Sequence, residues 1–225
     1  MEQTDLTLII PAKYESESLP VILDDLKKFN FEIIVSLHNE DELTIRAINN
    51  HNVKTVMQKN KGYGNALIEG INACKTKYFC IFNADGSFDE NDLPKMLDLN
   101  KKNDFIFASR YCYGASSDDD TIITYIGNKF FSLFGQIFFS LNITDILYTY
   151  VMGKTESFKK LNVINNDFRF CVEFPIKMQK QKMKYDSIAS HEKKRIAGKK
   201  KVSPFKDGFL ILIEMIRLFF LKINY

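Results

Sequence analysis

The chain has 225 residues, of which 45% are hydrophobic, and this is enough for one sizeable domain or for one domain with an appendage. Its formal net charge of +3 is too small to indicate a nucleic-acid-binding protein, and the basic excess is concentrated between residues 177 and 206. The four cysteines have no paired metal-ligand spacing, which favours free thiols in a reducing compartment. The first residues lack the basic and apolar segments of a signal peptide.

The first half of the chain alternates between strand and helix patterns. Apolar runs predict strands at residues 6–10, 31–37, 53–57, 78–82 and 105–108, and periodic apolar residues predict helices at 19–26, 41–49, 65–74 and 92–100. Pro11 is expected to stop the first strand, and Ser18 is expected to cap the first helix. Strands that alternate with helices imply right-handed crossovers and a mostly parallel sheet.

The second half is dominated by apolar helical segments. A Phe-rich helix is predicted over 122–141, with an apolar face too broad for an ordinary surface helix, and a helix over 168–180 and a strand over 185–189 follow. Segment 209–223 is almost wholly apolar, but its length of about 15 residues is below the roughly 20 needed to span a bilayer. An interfacial helix, or one that packs on a partner, is favoured, and a C-terminal core helix is the alternative.

Oxygen-bearing side chains follow the fourth predicted strand. Asn83, Asp85 and Ser87 alternate, so an extended chain would point them in the same direction. Ligands bind at the carboxyl edge of an open α/β sheet, and oxygen ligands there suit Mg²⁺ or Mn²⁺ carrying a diphosphate. The alternative is a strand followed by a simple Asp-Gly turn.

Basic residues cluster shortly before the C-terminal apolar segment. Six of them lie close together: Lys193, Lys194, Arg195, Lys199, Lys200 and Lys201. Such a run is either a solvated loop or a site for phosphate or anionic lipid headgroups.

Several short motifs occur in a characteristic order along the chain. They are Ile9-Ile10-Pro11-Ala12 with Glu15; Asn60, Gly62 and Gly64; Asn83-Ala84-Asp85-Gly86; Ser109-Arg110; Thr144-Asp145; and Arg195 to Lys201 followed by Asp207-Gly208. Together they resemble the family-two inverting glycosyltransferases, which have the GT-A fold. The most similar branch is that of the polyprenyl-phosphate sugar synthases (dolichyl-phosphate mannose synthase-like).

The resemblance implies an α/β, Rossmann-like GT-A fold with a mostly parallel sheet flanked by helices and a C-terminal amphipathic, apolar helix. It implies a glycosyltransferase domain over residues 1–192, then a basic loop and a membrane-proximal helix over 193–225. The nucleotide-sugar site would comprise Pro11, Ala12, Glu15, Asn60, Gly62, Gly64, Asn83, Ala84 and Asp85.

The resemblance also implies a metal and two catalytic carboxylates. Asp85, assisted by Asn83, would hold Mg²⁺ or Mn²⁺, which neutralises charge growing on the leaving nucleotide. Asn83 replaces the usual Asp and brings no charge, so weaker metal binding is expected. Asp145 is expected to be catalytic, facing the acceptor. The acceptor phosphate is expected to bind Arg110, Arg195, Lys199 and Lys201.

Three functions are compatible with these residues. The first is sugar transfer to a polyprenyl phosphate by a peripheral protein on the cytoplasmic membrane face; such an acceptor is already anionic and needs cations rather than a base. The second is extension of a cell-surface glycan, whose hydroxyl requires a general base. The third is a degenerate nucleotide-sugar-binding member without turnover, because family positions are altered at Ser36, Leu37, Tyr63 and Val151. An oligomer is possible in each case.

Overall fold

The chain forms an α/β fold in the computed structural model, which describes residues 5–198 and 201–221. The strands are β1 Leu6–Ala12, β2 Glu32–Leu37, β3 Lys54–Met57, β4 Tyr78–Ile81, β5 Phe105–Ser109, β6 Ser116–Ser117, β7 Val151–Lys154, β8 Tyr185–Ala189 and β9 His191–Glu192. The helices are α1 Leu19–Leu26, α2 Glu42–Ala47, α3 Tyr63–Ala73, α4 Leu93–Asn100, α5 Ile122–Phe139, α6 Thr155–Lys160, α7 Phe170–Lys180 and α8 Pro204–Phe220.

Seven strands form one mixed sheet in the order β3-β2-β1-β4-β7-β5-β8. All neighbours are parallel except β7, which is antiparallel to both β4 and β5. Strands β6 and β9 pair separately as a short parallel ribbon. The predicted mostly parallel sheet flanked by helices is therefore confirmed, whereas β6, β7, β9 and α6 were not predicted.

The sheet separates two hydrophobic cores, because successive side chains of a buried strand point to opposite faces. Ile9 and Phe79 pack on one face with apolar residues of α3, α5, α6, α7 and α8. Leu8 and Cys80 pack on the other face with residues of α1 and α4. The continuous apolar runs of β1 and β4 follow from this burial on both sides.

The predicted end of the first strand and the predicted cap of the first helix are wrong, whereas the helix itself spans Leu19–Leu26 as predicted. Pro11 continues β1, where it is in register with Ser36, and the pairing with β4 ends two residues earlier at Ile9. The missing backbone N–H of Pro11 is tolerated there, because β1 no longer pairs with β4 beyond Ile9. Ser18 does not cap α1; its hydroxyl donates to Glu15 Oε2 at 2.9 Å.

The C-terminal helix α8 has two different faces. Ile211, Met215 and Leu218 are buried in the same core as α5 and α7, and Asn165 donates a 2.9 Å hydrogen bond to buried Glu214. The opposite face exposes large apolar side chains. The core interpretation therefore describes the inner face of the helix, and the interfacial interpretation stays a prediction for the exposed outer face. Within the described residues, no helix combines the length and apolarity that a bilayer-spanning helix requires.

Candidate functional site

A cavity of about 500 Å³ lies at the carboxyl edge of the sheet. Pro11 and Ala12 end β1 there, His38 follows β2, and Arg110 follows β5. The turn after β4 adds Asn83, Ala84 and Asp85, and Gly62 lies at the start of α3. This volume is typical of small-molecule sites, and the position is the usual ligand edge of an open α/β sheet.

Glu15 forms the inner wall of the cavity on the β1 side. It is buried, accepts a hydrogen bond from Ser18, and forms an ion pair with Lys201 of the loop before α8. The structure thus joins a residue predicted for the nucleotide with one predicted for the acceptor phosphate. Glu15 is thus a buried, paired carboxylate rather than an exposed one at a helix start.

Asp85 lies in a tight turn rather than in an extended segment. Its Oδ1 accepts hydrogen bonds from the backbone N–H of Ser87 at 3.0 Å and from the Ser87 hydroxyl at 2.7 Å. Gly86 adopts φ of +81°, which favours glycine. The expected alternation of three side chains on one side is therefore wrong, and the Asp-Gly turn is correct. The turn leaves Asp85 Oδ2 facing Arg195 Nη1, 3.6 Å away.

The oxygen atoms available at this turn suit a hard divalent cation. Asp85 offers a carboxylate and Asn83 an amide oxygen, and both line the cavity. Across residues 5–198 and 201–221, no group of three or more His, Cys, Asp or Glu side chains is arranged to hold a metal by itself. Mg²⁺ commonly binds through one or two carboxylates plus substrate phosphates, so this sparse set suits a cation delivered with a diphosphate.

Arg195 reaches into the cavity from the basic loop. Its Nη2 lies 2.9 Å from Asp119 Oδ2, and Asp119 belongs to the loop between β6 and α5. Burial opposes the charge of Arg195, but the Asp119 hydrogen bond and the Asp85 charge outweigh it, so the pKa of Arg195 is raised. Arg195 therefore remains a cation, and it lies on the side of the cavity that carries Asn83 and Asp85.

Asp145 does not line the cavity. Its carboxylate is fully buried in a two-point pair with Arg110, with Nε to Oδ2 at 2.7 Å and Nη2 to Oδ1 at 3.0 Å. Arg110 also reaches Glu192 at 3.1 Å, and its guanidinium lies 4.5 Å from the centre of the Tyr148 ring. Burial opposes the charge of Arg110, but Asp145 and Glu192 outweigh it and raise its pKa. The expectation that Asp145 faces the acceptor is therefore corrected: Asp145 fixes Arg110, and of the two carboxylates paired with Arg110 only Glu192 lines the cavity.

Three other predicted site residues stand apart from the cavity or cannot be assessed. Asn60 does not line it; its backbone N–H donates to the side chain of Asn65 at 3.3 Å. Gly64 lies inside α3 rather than in a loop, against the carbonyl oxygen of Asn165. Lys199 lies outside the described residues.

Gly64→Ala is expected to lower the free energy of unfolding by about 3 kcal/mol, the upper end of overpacking costs. An added Cβ would lie 2.2 Å from the oxygen of Asn165 and 2.8 Å from that of Asp167, both backbone atoms. Urea denaturation measures the loss. Gly127→Ala in α5 is the matched control, since its Cβ meets nothing within 4 Å and alanine favours a helix. Unchanged stability of the Gly64 variant would contradict this packing role.

The cavity also contains residues that were not among the predicted site residues: Tyr63, which the sequence analysis noted only as an altered family position, and Cys171. Tyr63 stacks on Phe168 with ring centres 5.2 Å apart, and its hydroxyl lies 2.6 Å from Thr149 Oγ1. Burial raises the pKa of Tyr63, so its hydroxyl stays protonated. Cys171 lines the same wall, and burial raises its pKa to about 12, which makes it a poor nucleophile at neutral pH.

The sheet, its carboxyl-edge cavity and the acidic turn after β4 define an α/β protein with a ligand site at the carboxyl edge of its sheet. The sequence profile of the family described as glycosyl transferase family 2 matches residues 7–162, and the chain belongs to this family. The family assignment made from the motifs is therefore confirmed.

Curated relatives carry the same family name. The uncharacterized glycosyltransferases Rv0539 of Mycobacterium tuberculosis and Mb0553 of Mycobacterium bovis are each 31% identical over 106 residues. The match covers 47% of this chain and 48% of each relative, so the similarity spans about half the length of either protein.

Solved structures with a similar fold extend over nearly the whole chain. Glucosyl-3-phosphoglycerate synthase from Mycobacterium tuberculosis, in complex with Mn²⁺, uridine diphosphate and phosphoglyceric acid, has a TM-score of 0.73 and 12% identity, covering 99% of this chain and 81% of that one. Mannosyl-3-phosphoglycerate synthase from Rubrobacter xylanophilus has a TM-score of 0.70 and 12% identity, covering 95% and 72%. At such identity the similarity establishes the GT-A fold alone.

Proposed function

We propose that this protein is an inverting glycosyltransferase that uses Mg²⁺ or Mn²⁺ to transfer a sugar from a nucleotide-sugar to a polyprenyl phosphate at the cytoplasmic face of a membrane. The observation that carries the proposal is the position of the cavity beside a broad exposed apolar surface. Thr124 and Asn128 of α5 and Ile211 of α8 line the cavity, and the outer faces of the same two helices are apolar.

The donor half of the proposal rests on family membership and on the residues at the β4 turn. Asp85 and Asn83 suit a divalent cation, and a cation there would neutralise charge on the leaving nucleotide. Structures of the mycobacterial synthase contain uridine diphosphate with Mn²⁺ or Mg²⁺ in a GT-A fold. Gly62, with φ of +130°, lies in the cavity wall at the start of α3, and its lack of a side chain makes room for the carbonyl oxygen of Asn166.

The acceptor half rests on the surface that we call the α5–α8 face. Its members are large apolar side chains that are each at least 45% exposed: Ile122, Ile123, Ile126, Phe130, Leu133, Ile137 and Phe138 on α5, and Phe205, Phe209, Ile213, Ile216, Phe219 and Phe220 on α8. The two helices pack together, with the Phe138 and Phe219 ring centres 5.9 Å apart. Soluble monomers rarely expose so large a contiguous apolar surface, whereas helices that lie in a membrane interface do.

The charges near this face agree with a lipid phosphate. Basic residues precede α8, and such residues are attracted to the anionic lipids of a cytoplasmic leaflet. The acceptor phosphate is itself anionic and needs no general base, and the buried pairing of Asp145 with Arg110 is compatible with this. A soluble phosphorylated acceptor would leave the α5–α8 face without a role.

Phe209→Glu combined with Ile213→Glu is expected to weaken binding to vesicles containing anionic lipid by roughly tenfold or more for each side chain. Burial of one such side chain is worth about 1.5–3 kcal/mol, and both are exposed on α8. Co-sedimentation with vesicles measures the loss. Leu43→Glu on α2, which is 71% exposed and lies off the α5–α8 face, is the matched control.

The acceptor is tested with vesicles that contain polyprenyl phosphate, a panel of nucleotide-sugars and Mn²⁺. Formation of a polyprenyl-phosphate sugar supports the proposal. Transfer only to a soluble hydroxyl or phosphate acceptor would contradict its acceptor half. Nucleotide-sugar binding without any transfer would instead identify a non-catalytic member of the family.

A further inference from the structure

One guanidinium joins two carboxylates at the edge of the cavity. Arg195 contacts Asp119 Oδ2 through Nη2 at 2.9 Å, and its Nη1 lies 3.6 Å from Asp85 Oδ2. Asp85 follows β4, whereas Asp119 lies in the loop between β6 and α5. Two segments that are distant in sequence thus place the Asp85 and Asp119 carboxylates beside the two terminal nitrogens of the Arg195 guanidinium.

The loop that carries Asp119 is anchored at the cavity. The backbone N–H of Asp118 donates to the carbonyl oxygen of Glu192 at 2.8 Å, and that of Asp119 donates to the Ser117 hydroxyl at 3.3 Å. The β6–β9 pairing holds the base of the same loop. Asp119 is therefore positioned by backbone contacts as well as by its pair with Arg195.

The backbone around Arg195 is attached to the β4 turn. Ile196 N–H donates to the carbonyl oxygen of Asp85 at 2.8 Å, and Lys193 N–H donates to that of Ser87 at 2.8 Å. The Arg195 side chain can therefore change rotamer without breaking these bonds. Such a change would remove the guanidinium charge from beside Asp85 and Asp119, which both line the cavity, and a divalent cation there would offset the repulsion between the two carboxylates.

We propose that Asp119 is the second carboxylate ligand of the divalent cation, in place of the acidic residue that Asn83 replaces. Metal binding moves the Arg195 guanidinium from between Asp85 and Asp119 onto the donor diphosphate. The inference rests on the proposed function, because the diphosphate completes the coordination shell. A set of two carboxylates plus phosphate oxygens is typical of Mg²⁺.

A metal-ligand role for Asp119 and a simple salt bridge between Asp119 and Arg195 predict different effects of substitutions on metal affinity. Asp119→Asn is expected to weaken Mn²⁺ binding in the presence of UDP by roughly tenfold or more, since changes to residues that only support a metal ligand already cost about 10–100-fold. Arg195→Gln is expected to tighten binding of Mn²⁺ alone severalfold, because a competing cation is removed. Calorimetric titration and the electron paramagnetic resonance of Mn²⁺ measure both effects without any turnover.

Asp118→Asn is the matched control, because this neighbouring side chain is 61% exposed and its carboxylate pairs with His191. It should bind Mn²⁺ within twofold of the wild type, and circular dichroism checks that every variant is folded. The inference would be overturned if Asp119→Asn bound Mn²⁺ in the presence of UDP as tightly as the wild type and Arg195→Gln did not change Mn²⁺ affinity. The proposed function would survive that result. Failure of the wild type to bind Mn²⁺ with either UDP or GDP would overturn the donor half of the proposed function as well.

Discussion

Asp85→Asn is expected to reduce sugar transfer by about 10²–10³-fold, the range seen when one preorganised electrostatic contact to a transition state is lost. An asparagine oxygen can still accept the hydrogen bonds from Ser87, so the β4 turn should keep its shape. What disappears is the negative charge that faces the cavity and would hold the cation. The loss should therefore fall on kcat at saturating donor rather than on folding.

The same substitution should remove stabilisation by metal and nucleotide. A ligand at about 100 times its Kd stabilises a native protein by about 2.7 kcal/mol, which corresponds to roughly 5–10 °C in Tm for a domain of this size. Differential scanning fluorimetry with Mn²⁺ and a nucleotide-sugar should show this shift in the wild type and in Asp98→Asn, an exposed control on α4. An equal, metal-dependent shift in Asp85→Asn would exclude Asp85 as a ligand.

Asp145→Asn is expected to lower the free energy of unfolding by about 3–5 kcal/mol, because it removes one partner of a buried ion pair. Asp145 is fully buried, and the mostly buried guanidinium of Arg110 would lose its two-point partner and keep only its ion pair with Glu192. Urea or guanidinium denaturation measures the change. Glu192→Gln is the comparison, since it leaves Arg110 paired with Asp145 and should cost clearly less.

A double-mutant cycle distinguishes a lost ion pair from a general packing defect. Replacing both Asp145 and Arg110 by apolar residues of similar size should recover part of the stability lost in Asp145→Asn, because the buried guanidinium is removed together with Asp145. Glu192 then loses its ion pair with Arg110 but keeps the hydrogen bond from the Ser117 hydroxyl. A near-neutral Asp145→Asn variant would contradict the structural role. Activity of Asp145 variants must be compared at equal folded fraction, since unfolding alone would resemble the loss of a catalytic base.

The sequence predicted the sheet well where strands are continuous apolar runs. β1 and β4 are buried on both faces, and such runs are distinctive in any local window. β7 was missed because it has four residues and contains Gly153, where an added Cβ would lie 2.3 Å from the Phe105 ring. Gly153 is required because a side chain there would collide with Phe105 of the neighbouring strand β5, and a local sequence pattern does not contain that contact.

The candidate site was predictable only in part, for a related reason. Residues at strand ends, such as Pro11 and Asp85, follow from topology, because parallel strands bring their carboxyl ends to one edge. The pairing of Arg195 with Asp119 depends on two loops that are 76 positions apart, and no spacing rule connects them. The burial of Asp145 likewise depends on Arg110 folding back onto it, a tertiary contact that a motif cannot encode.

The two-faced helix α8 links its exposed apolar face to the folding of the core. Its inner face, including Met215 and Leu218, completes the core, so the native protein cannot unfold without releasing this helix. Any surface that binds the outer face only in the native arrangement therefore acts as a ligand of the folded state and slows or opposes unfolding. If the proposed function is correct, the bilayer would stabilise the native protein. Extraction with detergent would then lower the stability of the protein and also remove its acceptor.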